Sequence, residues 1–217
     1  MNFLITIKDT SQQSKNILQI GAKIAKAFSA NLSIIHVGKK SKAMIEGDIN
    51  LARITMLEWN ILHPGVDVLN WAYEALKELD TIEIDPDTEL KPENYVNHTK
   101  RITLSIPQPS GQNVELILRE GEMIEETSKD IDEFKYDLAI VGCPKRKRHI
   151  HQVVQFFNTS VLIVKNFNKD WTYKVQLCVD DSRATKRAVV FGAKIANHYK
   201  KEVKLLTVSK TNLFKSG

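Results

Sequence analysis

The feature that most constrains this chain is an internal repeat. Residues 3–37 align without a gap onto residues 174–208 at a constant offset of 171, with 9 identities in 35 positions. Gly21-Ala22-Lys23-Ile24-Ala25 falls on Gly192-Ala193-Lys194-Ile195-Ala196, and Asp9, Ser11, Lys15 and Val37 fall on Asp180, Ser182, Lys186 and Val208. A repeat of this length means one supersecondary unit built twice. Only the opening of the unit fits in the second copy before the sequence stops.

Each copy reads as strand, helix, strand. Phe3–Ile7 is an apolar, β-rich run that predicts a buried strand. Asp9, Thr10 and Ser11 follow as acceptors for the free N–H groups of a helix start. Ile17, Leu18, Ile20, Gly21, Ile24, Ala25 and Phe28 recur at helical spacing, and Leu32–Val37 predicts the second strand. Parallel neighbours need a helix-length connection, so the unit is a crossover between parallel strands.

Residues 44–79 are helical in composition and should divide at Pro64-Gly65. Residues 80–113 hold four of the six prolines and two short β-like runs, Thr81–Ile84 and Arg101–Ile106, and read as an inserted loop or small hairpin. The alternation resumes with strands at Val114–Leu118, Asp137–Gly142 and Ser160–Val164, and helices at Glu122–Phe134 and Ile150–Phe157. The expected fold is α/β: an open five-stranded parallel sheet with helices on both faces, plus a partial second strand–helix–strand repeat. The expected domains are 1–167 with the insertion, a linker at 168–172, and the partial copy at 173–217.

With 217 residues, 42% hydrophobic, the chain holds one full domain and a fragment. A net charge of +5, spread over 31 basic and 26 acidic side chains, suits a soluble protein better than a dedicated nucleic-acid binder. Cys143 and Cys178 sit in apolar runs and read as small core residues of a reducing compartment. No apolar run reaches the roughly 18 residues that span a bilayer, and the start lacks a signal-peptide layout, so a cytoplasmic protein is expected.

The strand closing on Asp9-Thr10-Ser11, the Gly-Ala-Lys-Ile-Ala helix, the strand ending in His36-Val37, Asp137–Gly142 and Ser160–Val164 together resemble a universal stress protein domain. The resemblance covers residues 1–167 apart from about 80–113 and resumes at 173–209. Tandem copies are common in that family, and the resemblance implies a five-stranded parallel sheet like that of the adenine nucleotide alpha hydrolases. It also implies a nucleotide site at Asp9, Thr10, Val37, Val141 and Gly142, with Asp180 and Asp181 as the second-copy equivalent. In nucleotide-binding members of that family, the loop after the fourth strand runs Gly, two residues, Gly, nine residues, Gly, Ser or Thr. Gly142 matches the first glycine, but Lys145 stands at the second, and Gln155 and Phe156 stand at the closing pair.

Glycines there let main-chain amides approach phosphates, so their loss implies absent or weak nucleotide binding. In their place stands Lys145-Arg146-Lys147-Arg148-His149-Ile150-His151. Lys145 and Arg146 are the side chains that could hold the phosphates of ATP or AMP instead, although an ordinary solvated run of like charges explains them as well. No aromatic residue is interleaved, which argues against specific nucleic-acid contact. His149 and His151 lack a third ligand, so no metal is expected.

No Gly-x-Ser-x-Gly elbow, Walker loop or His-Glu-x-x-His occurs, and no enzyme is expected. The glutamates at 120, 122, 125 and 126 read as a helix start complementing the dipole. The expected function is a non-catalytic binding or regulatory protein, acting as a homodimer or with a partner protein. Two alternatives are a cytosolic regulatory domain of a membrane transporter or sensor kinase, and an ATP-binding stress protein using the basic loop. Roughly 45 residues cannot build an independent core. The partial copy should therefore dock on the first domain or exchange into a dimer.

Overall fold

The computed structural model describes residues 1–39, 65–79, 95–98, 101–108, 111–144, 147–168, 172–180 and 182–207. These fall into two compact units, Met1–Phe167 and Asn168–Gly217. In the first, β1 (Asn2–Ile7), α1 (Gln12–Phe28) and β2 (Asn31–Gly38) form the expected opening, and β1 and β2 pair parallel with Phe3 opposite Leu32. Then come α2 (Gly65–Glu78), β3 (Val96–His98), β4 (Arg101–Pro107), β5 (Asn113–Glu120), α3 (Met123–Phe134), β6 (Leu138–Gly142), α4 (Lys147–Phe156) and β7 (Ser160–Val164).

The sheet runs β3-β4-β5-β2-β1-β6-β7. Its five central and right-hand strands, β5-β2-β1-β6-β7, are all parallel, as the alternation of strands and helices requires. The insertion does more than loop out. Its β3 and β4 add antiparallel to the β5 edge, with Leu104 opposite Leu116, so the sheet has seven strands rather than five. The expected helix before Pro64 and the run Thr81–Ile84 lie outside the described residues.

Alternation along the strands divides the core. Leu4, Ile35, Ile117, Ala139 and Val141 point to one face, where Ile131 of α3, Tyr136 just beyond its end, and Val153 and Phe157 from the α4 region cover them. Ile5 and Ile140 point to the other, where α1 comes so close that a Cβ on Gly21 would collide with the Ile5 Cδ1 atom and sit 3.3 Å from that of Ile140. That glycine is needed for contact between helix and strand.

The second unit contains β8 (Val175–Val179), α5 (Arg183–His198) and β9 (Val203–Thr207), with the strands parallel. Its helix ends repeat those of α1 at the 171-residue offset. Ser11 Oγ accepts from Ser14 N at 3.4 Å, and Ser182 Oγ accepts from Thr185 N at 3.2 Å. At the other end Ser29 (φ 49°) and Lys200 (φ 50°) are both left-handed. Ala30 N donates to Ala25 O at 3.0 Å and Lys201 N to Ala196 O at 2.8 Å, the six-to-one bond of a Schellman cap.

The strand pairing departs from the gapless alignment. Phe3 faces Leu32, 29 residues on, whereas Val175 faces Val203, 28 residues on. Gln176, the equivalent of Ile5, would put an amide under the helix. A one-residue slip exchanges the two faces of a strand, and here it sets Leu177 beneath Gly192 and turns Gln176 outward. It also exposes Cys178, which is therefore not the core residue expected; Cys143 is half-buried.

Candidate functional site

In parallel α/β sheets ligands gather beyond the carboxyl ends of the strands. Here that edge is formed by the turns after β1, β2 and β6. Asp9 follows β1, and its Oδ1 accepts from Ser11 N at 3.0 Å and from Ser14 Oγ at 3.0 Å. The Ser11 side chain most of all, with the Ser11 amide and the Ser14 hydroxyl, holds the carboxyl below its ordinary value against slight burial. Through Oδ1, Asp9 thus braces the start of α1, where Ser11 is the cap. Asp180 does the same in the second unit, accepting from Ser182 N at 2.9 Å and Thr185 Oγ1 at 2.5 Å. Its neighbour Asp181 lies outside the described residues.

Thr10 is exposed beside Asp9. Val37 is half-buried against the core cluster, and Val141 is a member of that cluster, 2% exposed. Neither valine side chain is presented to the edge as a binding surface. His36, one residue before Val37, is buried with Nδ1 3.1 Å from Ile7 O, which pins β2 to β1.

The turn after β6 carries the geometry that matters most. A Cβ on Gly142 would lie 2.6 Å from Ile17 Cδ1 and 3.4 Å from Gln13 Nε2, so this glycine serves close packing against α1. The next amide, Cys143 N, donates to Val164 O at 2.8 Å. Pro144 has no N–H to offer. Gln13 Nε2 reaches Cys143 O at 3.5 Å across the turn. Lys145 and Arg146 lie outside the described residues. Gln155 and Phe156, at the positions of the family's closing glycine and hydroxyl, are inside helix α4, where Phe156 O accepts from Ser128 Oγ at 2.8 Å.

A second polar constellation went unread in the sequence. Asp130, fully buried on α3, accepts at Oδ1 from Arg101 Nε at 2.9 Å and Arg119 Nε at 2.7 Å, and at Oδ2 from the Tyr136 hydroxyl at 3.0 Å. Arg101 also forms a two-pronged pair with Glu115 at 3.2 and 2.9 Å and stacks over Phe134 at 3.8 Å. Burial and the neighbouring Asp130 carboxylate push the Tyr136 phenol well above its ordinary value. Glu126, expected only to complement the helix dipole, is buried and engages Lys129 at 2.7 Å and Arg119 at 3.8 Å. The available signal was one arginine on each of two apolar strands, at the start of β4 and near the end of β5, beside an acid-rich helix. Among the described residues, no group of three His, Cys, Asp or Glu side chains is arranged to hold a metal, and no helix is long and apolar enough to cross a membrane.

The first unit is thus an open α/β sheet whose five core strands are parallel, with their turns gathered at one edge, the class to which the adenine nucleotide alpha hydrolase-like folds belong. More particularly, it has the fold of the universal stress proteins. A universal stress protein from Archaeoglobus fulgidus DSM 4304 matches at 15% identity and a TM-score of 0.53, over 96% of this chain and 67% of that one. A universal stress protein from Lactobacillus plantarum matches at 13% identity and a TM-score of 0.47, over 76% and 97%. One from Archaeoglobus fulgidus in complex with dAMP matches at 13% identity and 0.43, over 76% and 98%. No family model and no curated protein matches the sequence.

Proposed function

We propose that this protein is a non-catalytic binding or regulatory protein of the universal stress protein type, whose complete domain binds nucleotide weakly or not at all. The observation that carries this reading is the turn after β6. Triphosphate cradles in such sheets are made of free main-chain amides on glycines. Here the Cys143 amide is taken by Val164 O, residue 144 is proline, and Gly142 is closed off by Ile17. Asp9, the residue that would hold adenine or ribose, has one carboxylate oxygen, Oδ1, engaged at the start of α1. Among the described residues no nucleophile–base pair is assembled at this edge, which favours binding over catalysis.

The same reading makes the protein cytoplasmic and dimeric, with residues 173–217 an incomplete second copy. In its support, Leu205 and Leu206 of β9 are 68% and 43% exposed, whereas their repeat equivalents Ile34 and Ile35 are 0% and 1% exposed.

Isothermal titration with ATP and AMP tests the binding reading. The expected outcome is no measurable heat, or an affinity weaker than about 1 mM. Micromolar binding would overturn it. If such binding vanished in a Lys145→Ala/Arg146→Ala variant, the basic loop would be the phosphate holder; if it survived, main-chain amides would be.

A further inference from the structure

We infer that the outward face of α5 is a docking surface for the phosphate backbone of duplex nucleic acid. The inference does not depend on the reading of the β6 turn. It begins with the distribution of charge, which the modest net value of the whole chain conceals. Residues 168–217 carry eleven Lys and Arg against four Asp and Glu, a net +7, which leaves residues 1–167 at −2. A basic balance concentrated in one unit is the electrostatic footprint of a polyanion partner.

The helix arranges part of that charge in a line. Arg183, Lys186, Arg187, Val190 and Lys194 are spaced by three or four residues and so share one face. All five are exposed, Val190 at 70%. Gly192 and Ala196 are buried on the opposite side, and Gly192 seats against Leu177. Among the described residues no ion pair engages Arg183, Lys186 or Arg187. The repeat supplies an internal control: the same five places on α1 are Gln12, Lys15, Asn16, Gln19 and Lys23, so two of the four cations are particular to the second unit.

Charge and shape select among polyanions. At about 1.5 Å rise per residue the stripe is about 16 Å long, a span of about five phosphates along one strand. Arginine forks suit phosphate geometry. An interfacial membrane helix needs a broad apolar face turned outward, and here the small-residue face is turned in and Val190 stands alone among cations. Asp180, whose own hydrogen bonds hold its pKa down to about 2, places a fixed negative charge near the helix start. Contact is therefore centred on Lys186 and Arg187, beyond the first turn of the helix. The contacts argued here go to phosphates, which position a protein without reading bases, so binding is expected to be independent of sequence.

The test is fluorescence anisotropy of the full chain with labelled 20-base-pair DNA and RNA duplexes over a salt series. The expected result is binding to at least one duplex at low salt, with log affinity falling against log salt at a slope of about −3 for three to four phosphate contacts. Arg183→Glu/Arg187→Glu should weaken binding at least tenfold with unchanged circular dichroism, while Lys15→Glu/Lys23→Glu on α1 should leave it within twofold. DNA and RNA arms separate the two sources of the same backbone. No binding to either duplex, equal loss in both variants, or binding confined to anionic vesicles or polyglutamate would overturn the inference.

Discussion

Arg101 and Asp130 are joined by a 2.9 Å bond between Nε and Oδ1, and both side chains are buried. The bond ties β4, a strand of the insertion, to α3, and so fixes the added antiparallel edge onto the parallel sheet. Arg119 shares the same carboxylate oxygen at 2.7 Å. Removing one partner of a buried charge cluster leaves the others desolvated and uncompensated, at a cost of about 3–5 kcal/mol. Asp130→Asn is therefore expected to lower unfolding stability by about 3 kcal/mol or more. Glu133→Gln, which breaks the 3.0 Å contact of a largely exposed carboxylate with Arg119, should cost below about 1 kcal/mol. Urea denaturation of both variants checks this, and equal losses would contradict it.

Gly142 makes a prediction that separates packing from ligand binding. Alanine there would put a methyl group 2.6 Å from Ile17 Cδ1, the tip of a side chain that is 4% exposed and has little room to move. Overpacking of this kind costs about 1–3 kcal/mol. Gly142→Ala should lower stability by that amount, and Ile17→Val, which removes the offending methyl, should restore part of it. Thermal denaturation of the single and double variants measures the coupling. Strictly additive losses would show that Gly142 matters for another reason.

Much of the fold was legible because the strands and helices obey different periods. Phe3–Ile7, Leu32–Val37 and Asp137–Gly142 are short apolar runs, and the structure places each in the parallel sheet. The cap residues were legible too, since Ser11 and Ser182 both accept where a helix begins. The slip of β8 was not. It depends on whether Gln176 or Leu177 is better buried under Gly192, a choice made by three-dimensional packing that a gapless alignment cannot weigh. The Arg101–Asp130–Arg119 cluster was hidden for a similar reason. Its members lie on β4, β5 and α3, and only the antiparallel pairing of the insertion brings them together. At the β6 turn the missing glycines were visible in the sequence, whereas the capture of the Cys143 amide by Val164 needed the register of β6 and β7.

Thr127 offers a stabilising substitution. It is fully buried on α3, and among the described residues its Oγ1 has no hydrogen-bond partner. A desolvated, unbonded hydroxyl costs about 1–3 kcal/mol, and replacing it with an apolar group of the same shape relieves that cost. Thr127→Val is expected to raise stability by about 1 kcal/mol, whereas Thr127→Ala should lower it by opening a cavity. Denaturant midpoints at constant slope measure both. A loss in the valine variant would mean that the hydroxyl is bonded in solution.

Asp180 supplies the pH dependence of the second unit. The Ser182 side chain, then the Thr185 hydroxyl and the Ser182 amide, bring its pKa from 3.8 to about 2. The folded value is the lower one, so the unfolded chain takes up the proton first as pH falls. The contribution of Asp180 to stability is therefore complete above pH 4 and is lost as pH drops toward 2. Thr185→Val removes one donor and should move the Asp180 titration upward, while Asp180→Asn should flatten the acid limb for α5. Carboxyl chemical shifts followed by NMR between pH 5 and 1.5 read the titration, and amide exchange at Ser182 and Thr185 reads the cap. Asp9, whose carboxyl is bonded by the corresponding Ser11 and Ser14, should shift in the same direction when Ser14 is changed to Ala. An Asp180 titrating at its ordinary value in the unaltered protein would show that the cap bonds do not persist in solution, and the matching cap at Asp9 would then need the same measurement.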